Sequence, residues 1–268
     1  MNVGVSGLVA GYANVILDLD GTVWVGDELT SRAAAAVAAM RAAGLGIAFV
    51  TNDGARTPEE YVQKLWALGV TAAGDEVVSV GSAITHLLCE REPGARVYVI
   101  GSPAIFRHVT DAGHTIVNGT PAAERADVVV AVAHPDFNYR ELTIATRALL
   151  AGAQLITGGR DRTYPAADGT SPGTGAVTAA LEYASGTTAR LVGKPDPRVF
   201  EVALERLGPG RTLVVGDHLV ADLGGAAAAG LDAAIVLSGV TTADQARAAT
   251  NPAPVAIAPD LATLVLSS

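Results

Sequence analysis

The stretch Val15-Ile-Leu-Asp-Leu-Asp-Gly-Thr22 decides how the rest of the chain is read. Three apolar residues, two of them β-branched, form a short run that suits a strand buried on both faces, and the run ends in two acids, Asp18 and Asp20. In a parallel sheet the carboxyl ends of the strands are where ligands bind. Residues two apart on a strand point the same way, and a turn at Gly21-Thr22 can re-aim the second acid, so that one carboxylate attacks while its neighbour handles a proton. An EF-hand loop starting at Asp18 would need glycine at its sixth place and glutamate at its twelfth, where Val23 and Leu29 stand.

Outward from this run, short apolar segments alternate with longer Ala/Leu-rich segments of helical period, the pattern of βα units in a parallel sheet. Strands are expected at Val15-Leu19, Gly46-Thr51, Val77-Val80, Leu191-Gly193, Leu213-Gly216, Ala233-Leu237 and Val255-Ile257. Helices are expected at Ser31-Ala43, Pro58-Leu68, Ala83-Glu90, Pro197-Leu207 and Leu223-Ala229, several of them followed by glycine, as at Gly44, Gly69, Gly208 and Gly230. The middle of the chain has an α/β alternation of its own. The expected fold class is α/β: a Rossmann-like parallel-sheet core, residues 1–80 and 187–268, with a smaller α/β cap domain, 81–186, inserted between its two parts.

Three further strand ends carry chemistry. Thr51 and Asn52 close the strand before Asp53, and a hydroxyl and an amide there can donate to phosphoryl oxygens without adding charge. Lys194, in Gly193-Lys-Pro-Asp-Pro197, offers a compact positive charge against a carboxylate and a phosphoryl group. It is not a Walker lysine, since Thr188 and Pro195 occupy the places that loop reserves for glycine and Ser/Thr. Asp217 ends the run Leu213-Val-Val-Gly-Asp217, and Asp222 follows five residues later. Magnesium takes hard oxygen ligands and keeps several waters, so Asp217 suits the metal and Asp222 suits orienting its hydration.

Asp-x-Asp-Gly-Thr, Thr-Asn, Gly-Lys-Pro and Gly-Asp-x4-Asp, in this order and each at a strand end, resemble the haloacid dehalogenase superfamily across nearly the whole chain. The long segment between the second and third motifs resembles the class II members with an inserted α/β cap. Within it, Asp136-Phe-Asn-Tyr139, Asp161-Arg-Thr-Tyr-Pro165 and Pro172-Gly-Thr-Gly175 resemble the 4-nitrophenylphosphatase-like branch. The resemblance implies a phosphatase. Asp18 would form an aspartyl-phosphate, and Asp20 would act as acid and then base. Mg²⁺ would be held by the Asp18 and Asp217 carboxylates and the Asp20 main-chain carbonyl, with Asp222 behind them. Thr51, Asn52 and Lys194 would hold the phosphoryl oxygens, and Arg160, Asp161 and Tyr164 in the cap would meet the substrate. The implied partner is a small phosphorylated metabolite such as glycerol phosphate or phosphoglycolate. A nucleoside-monophosphate or sugar phosphatase, a low-turnover phosphometabolite-binding protein and a phosphoryl transferase stand as alternatives.

The chain departs from the branch at Asp53-Gly54, where Asn-Ser is usual, at His218, Val220 and Ala221 within the fourth motif, and at Gly158-Gly159-Arg160 and His134 in the cap. Composition bounds the partners. A formal net charge of -9 with no Lys/Arg cluster argues against binding a nucleic-acid polymer. Aromatics are only 4%, which leaves little area for stacking a base and weights the reading toward the smaller esters. No run approaches the roughly 18 apolar residues of a membrane span, and the first basic residue is Arg32, so the expectation is a cytoplasmic protein away from membranes. Cys89 is expected to be a small buried residue on a helix, and an exposed cap face would support a homodimer.

Overall fold

The structure, a computed structural model, describes residues 4–166 and 169–267. The chain divides into two compact units, one built from residues 1–51, 58–78 and 194–268, the other from residues 52–57 and 79–193. The first unit holds a six-stranded sheet in the order Ala256–Ala258, Asp232–Val236, Thr212–Gly216, Asn14–Asp18, Gly46–Thr51, Val77–Ser79. The four pairings among its first five strands are parallel. Asn14–Asp18 and Thr212–Gly216 are buried throughout, which is why they read as unbroken apolar runs rather than as alternation. Their helices close a core of mostly aliphatic residues whose aromatic members are Tyr12, Trp24, Phe49 and Tyr61.

The order of these strands places the site. From Asn14–Asp18 the chain moves to one side, to Gly46–Thr51, and after the second unit it returns on the other side, to Thr212–Gly216. Two neighbouring strands whose connections run in opposite directions leave a crevice at their carboxyl ends. Asp18 and Asp217 stand at that switch point.

The second unit has a five-stranded parallel sheet in the order Arg190–Leu191, Gln154–Thr157, Val128–Ala131, Arg96–Ile100, Thr115–Ile116. It also carries an antiparallel hairpin, Thr163–Ala166 with Gly169–Pro172. Its core is formed by Ile100, Val129, Leu155 and Leu181 with many alanines. Short strands such as Thr115–Ile116 are too brief to show a period, so the sequence did not announce them.

The structure corrects three expectations. The strand expected at Leu191-Gly193 is Arg190–Leu191, and it extends the second sheet, pairing with Ile156 and Thr157. The helix expected at Leu223-Ala229 begins earlier, as a π-helical turn over Leu219–Gly224 that passes into a short helix, Gly225–Ala228. The side chain of Asp222 folds back onto the preceding strand end and widens that turn. Cys89 is on a helix, Val80–Cys89, but as its last residue, and it is exposed. Ile84, Leu87 and Leu88 take the buried face there.

Candidate active site

Four of the residues singled out from sequence converge in the first unit. Asp18 is 7% exposed, Lys194 5%, Asp217 5% and Asp222 1%. The Lys194 ammonium donates to Asp18 Oδ1 at 2.5 Å and to Asp222 Oδ1 at 2.6 Å. Asp222 Oδ2 accepts from the backbone N–H of Asp217 at 3.1 Å and of His218 at 2.9 Å. The carboxylate of Asp222 therefore ties the lysine to the loop that carries Asp217. Carboxylate oxygens of Asp18, Asp217 and Asp222 all lie within 4.8 Å of one another.

Three buried carboxylates share one ammonium, and the electrostatics follow. Burial pushes the Asp18 carboxyl well above the usual carboxylate range; Lys194 opposes the shift, and the charges of Asp222 and Asp217 add to it. Burial also raises Asp217, against a backbone hydrogen bond from Val240. Burial by itself would lower the Lys194 ammonium, but the charges of Asp18 and Asp222 outweigh it and the group stays protonated. The cluster carries an excess of negative charge in a poorly solvated place, a deficit that a divalent cation relieves.

The donor set fits Mg²⁺. Asp222 is committed at both oxygens, whereas among the described residues Asp18 Oδ2 and Asp217 Oδ1 receive no hydrogen bond. Two hard carboxylate oxygens with one main-chain carbonyl suffice for an ion that keeps several waters. Gly21, at φ +86°, has its Cα against the Asp217 carboxylate, and so has Gly239; a Cβ at either position would collide with it. Only glycine, then, lets both loops close around this acid. Val240 N–H donates to Asp217 Oδ2 at 2.6 Å, and Ser238 Oγ donates to the Gly21 carbonyl at 2.6 Å. The loop 238–240 was missed from sequence, because Ser-Gly-Val after a strand is an ordinary turn; a glycine at the end of a core strand was the available signal.

Holding Asp217 by a loop has a measurable consequence. Gly239→Ala is expected to displace its carboxylate and to raise the Mg²⁺ concentration needed for half-maximal activity by roughly 10- to 100-fold, the size seen when groups supporting a metal ligand are lost. A magnesium titration of phosphate release would check this, an unchanged midpoint counting against the cradle.

Asp20 stands just beyond the buried strand and is exposed. Its Oδ1 accepts from the indole Nε1 of Trp24 at 2.8 Å. Thr51 ends its strand and is buried, whereas Asn52 belongs to the second unit, where a Cβ on Gly193 would meet its side-chain oxygen and the Gly158 carbonyl. Arg160, Asp161 and Tyr164 also lie in the second unit. The Arg160 guanidinium is bound bidentately to Glu182, with both bonds at 2.8 Å, and to the Ala189 carbonyl at 3.2 Å. Tyr164 is exposed on the hairpin. Asp53 accepts from the N–H of Ala55 and pairs with Arg56, so its charge is engaged locally. His218 accepts at Nδ1 from the N–H groups of Val220 and Ala221, capping the π-helical turn. His134 Nε2 lies 3.2 Å from Glu141 Oε1.

Comparison with known proteins agrees with this geometry. Residues 15–115 match the family model described as haloacid dehalogenase-like hydrolase, and residues 191–264 match a second model of HAD-hydrolase-like proteins. The D-glycerol 3-phosphate phosphatase of Mycobacterium tuberculosis is 37% identical over 230 residues, 85% of this chain; the match spans 64% of that protein's length. The acid sugar phosphatase of Staphylococcus aureus is 32% identical over 233 residues, covering 86% of this chain and 88% of that protein. Among solved structures, the M. tuberculosis glycerol phosphate phosphatase in complex with magnesium has a TM-score of 0.88 at 36% identity, covering 96% of this chain and 77% of its own. A thermostable NPPase from Geobacillus stearothermophilus has a TM-score of 0.85 at 30% identity, covering 94% and 97%. The chain belongs to the haloacid dehalogenase-like hydrolases, in their 4-nitrophenylphosphatase-like branch.

Proposed function

We propose that this protein is a Mg²⁺-dependent phosphatase that hydrolyses a small phosphomonoester through an aspartyl-phosphate on Asp18. One observation carries the reading: at the switch point of a parallel sheet, Asp18 is ion-paired to a buried lysine and faces Asp217 and Asp222 within 4.8 Å. Asp18 attacks phosphorus in line, and the bond to the ester oxygen breaks. Asp20 gives that oxygen a proton, then takes one from the water that hydrolyses the acyl phosphate. Lys194 and the Thr51 hydroxyl, with Asn52, hold phosphoryl oxygens. Mg²⁺, held by the Asp18 and Asp217 carboxylates and the Asp20 carbonyl, would supply compensation for an anionic nucleophile meeting an anionic ester.

For the substrate, a small polyol or hydroxyacid phosphate is favoured over a nucleotide. The relatives that support this are named for glycerol phosphate and sugar phosphates, and only 4% of the residues are aromatic. The second unit, read as a cap over residues 81–186, would present Asp161 and Tyr164 to the leaving group. Arg160 is the weaker member of that set, since Glu182 and Ala189 engage its guanidinium. No helix among the described residues is long and apolar enough to cross a membrane. A cytoplasmic setting accords with a phosphometabolite substrate and a single, exposed cysteine. A homodimer through the second unit draws support from Tyr139, Leu150 and Tyr183, all exposed on two adjoining helices, and sedimentation would test it.

The function itself is tested by phosphate release from a panel of phosphomonoesters with Mg²⁺ and with chelator. Release is expected from small alkyl and sugar phosphates and is expected to vanish with chelator. Silence across the panel would remove the enzyme reading and favour a binding protein.

A further inference from the structure

We propose that the amino end of the second unit's sheet is a binding site for a small metabolite carrying two phosphate groups, or a phosphate and a carboxylate, gripped by Arg91, Arg96 and Arg125. The inference goes beyond the phosphatase reading, in which none of these residues has a part. A cleft of about 490 Å³ opens there, lined by the three arginines with Asp127, Gln154 and the backbone at Gly152. Its volume is of the size that holds a metabolite rather than a single ion.

The fold assembles this cluster from separate loops. Three adjacent parallel strands, Gln154–Thr157, Val128–Ala131 and Arg96–Ile100, all begin at the cleft. Arg96 and Gln154 are the first residues of two of them, and Asp127 precedes the third. Arg125 ends the short turn Ala123–Arg125, and Arg91 follows the helix Val80–Cys89. Arg160 and Asp161 come after the carboxyl end of Gln154–Thr157, at the opposite end of the same sheet.

The charges at the cleft do not cancel. Asp127 is the one acid among its lining residues, and Arg96 occupies both oxygens: Nη2 donates to Oδ1 at 2.8 Å, Nε to Oδ2 at 3.1 Å, and the backbone N–H to Oδ2 at 2.8 Å. Arg91 donates from Nη1 to the side-chain oxygen of Gln154, a neutral partner, at 2.5 Å. The Arg125 guanidinium has no acceptor among the described residues, and its neighbour Glu124 is turned to Arg147. Three cations against one carboxylate leave an excess of positive charge in a chain whose net charge is -9. The Arg96 hydrogen bonds, helped by the charge of Arg91, draw the Asp127 carboxyl down to about 2.

The helix Tyr139–Leu150 also ends here, and the carbonyls of a last turn are ordinary partners for arginine. Those of Arg147, Ala148 and Leu149 are already taken by the N–H groups of Ala151, Gly152 and Ala153. The guanidinium groups are thus left with open donors, in the planar fork that matches phosphate and carboxylate oxygens. No aromatic residue lines the cleft, so a base finds nothing to stack on. The Arg96 side chain is 45% exposed, and cations that keep this much hydration bind at metabolite concentrations, roughly 0.1–1 mM, rather than tightly.

The test titrates the full chain, isotope-labelled and in EDTA, with methylenediphosphonate and with phosphonoacetate, which distinguish the two ligand classes and resist hydrolysis. Amide signals of Ala126, Gly152 and Gln154 should shift together and saturate with at least one of them, more weakly as salt rises. Inorganic phosphate, with a single anionic group, should bind at least about 10-fold more weakly. Arg125→Gln should weaken binding by roughly 10-fold or more, the loss of hydrogen bonds to a charged group, and Arg125→Lys, which keeps the charge without the fork, should fall between. Arg125 is exposed, so the thermal midpoint should not move; Arg91→Gln gives a second, independent variant. The proposal is overturned if neither probe gives a saturable shift at these amides by about 10 mM, if shifts are confined to Asp18, Asp217 and their neighbours, if Arg91→Gln and Arg125→Gln both bind as wild type does, or if phosphate alone binds equally well.

Discussion

Asp18→Asn is expected to reduce phosphate release by about ten-thousand-fold or more, the scale on which removing a nucleophile acts, without lowering the stability of the metal-free protein. The two halves of this result have one cause. Asp18 is 7% exposed at the end of a strand otherwise made of apolar side chains and a buried asparagine, and folding raises its carboxyl well above the usual range, chiefly through burial. A group whose folded pKa is raised stabilises the fold below its unfolded pKa, and this contribution is lost as pH rises through the folded value. Wherever it is ionised, the carboxylate is therefore a strain on the metal-free fold. Asparagine keeps the shape and removes the charge, and Lys194 keeps its second partner, Asp222, at 2.6 Å. Thermal unfolding in chelator should show a midpoint equal to or above that of the wild type at neutral pH, with the difference narrowing toward acid. A variant that retained wild-type turnover would displace Asp18 as the nucleophile, and a markedly lower midpoint would contradict the electrostatic account.

The second large effect belongs to Lys194→Met. This side chain is the sole cation held against Asp18 and Asp222 among the described residues, and all three groups are buried. Removing one partner of a buried ion pair leaves uncompensated charge, at a cost of about 3–5 kcal/mol. Met fills much of the same volume, so the loss is electrostatic rather than a cavity. The sign of its pH dependence follows from Asp18. The lysine charge is what opposes the burial-driven rise of that carboxyl, and without it the folded value climbs further. Stability is then lost with rising pH over a wider window, and the gap from wild type widens from mildly acidic to mildly basic solution. Urea unfolding at two pH values would measure it. Turnover should fall as well, since a phosphoryl group would meet the nucleophile without its fixed positive charge. Added Mg²⁺ should restore part of the stability but not the rate. A variant equally stable at both pH values would show that the ammonium is not what holds the carboxylates.

Much of the site was legible because its chemistry is written at strand ends. Asp18 and Asp217 each follow a run of apolar, mostly β-branched residues, and burial on both faces makes such runs continuous in sequence. Lys194 and Asp222 were legible as members of spaced motifs, but their partnership was not. The pair Lys194–Asp18 spans 176 positions, and it is the two-way departure of the chain from one central strand that brings them together. The role given to Asp222 shows the difference: spacing suggested the hydration of a metal, whereas the fold turns its oxygens to Lys194 and to two backbone N–H groups.

Periodicity is a local property, and it reached the α/β class and the parallel sheet directly from the chain, while the four motifs were read from their resemblance to the haloacid dehalogenase superfamily. The sequence by itself therefore determined the α/β architecture and marked the three acids and the lysine that come together in the first unit. What each of them touches was decided only by tertiary structure. Trp24 under Asp20, Gly21 and Gly239 around Asp217, and Arg160 turned onto Glu182 all depend on distances set by packing. Contacts of that kind leave no period in the chain, because each depends on where a turn or strand far away in sequence comes to rest.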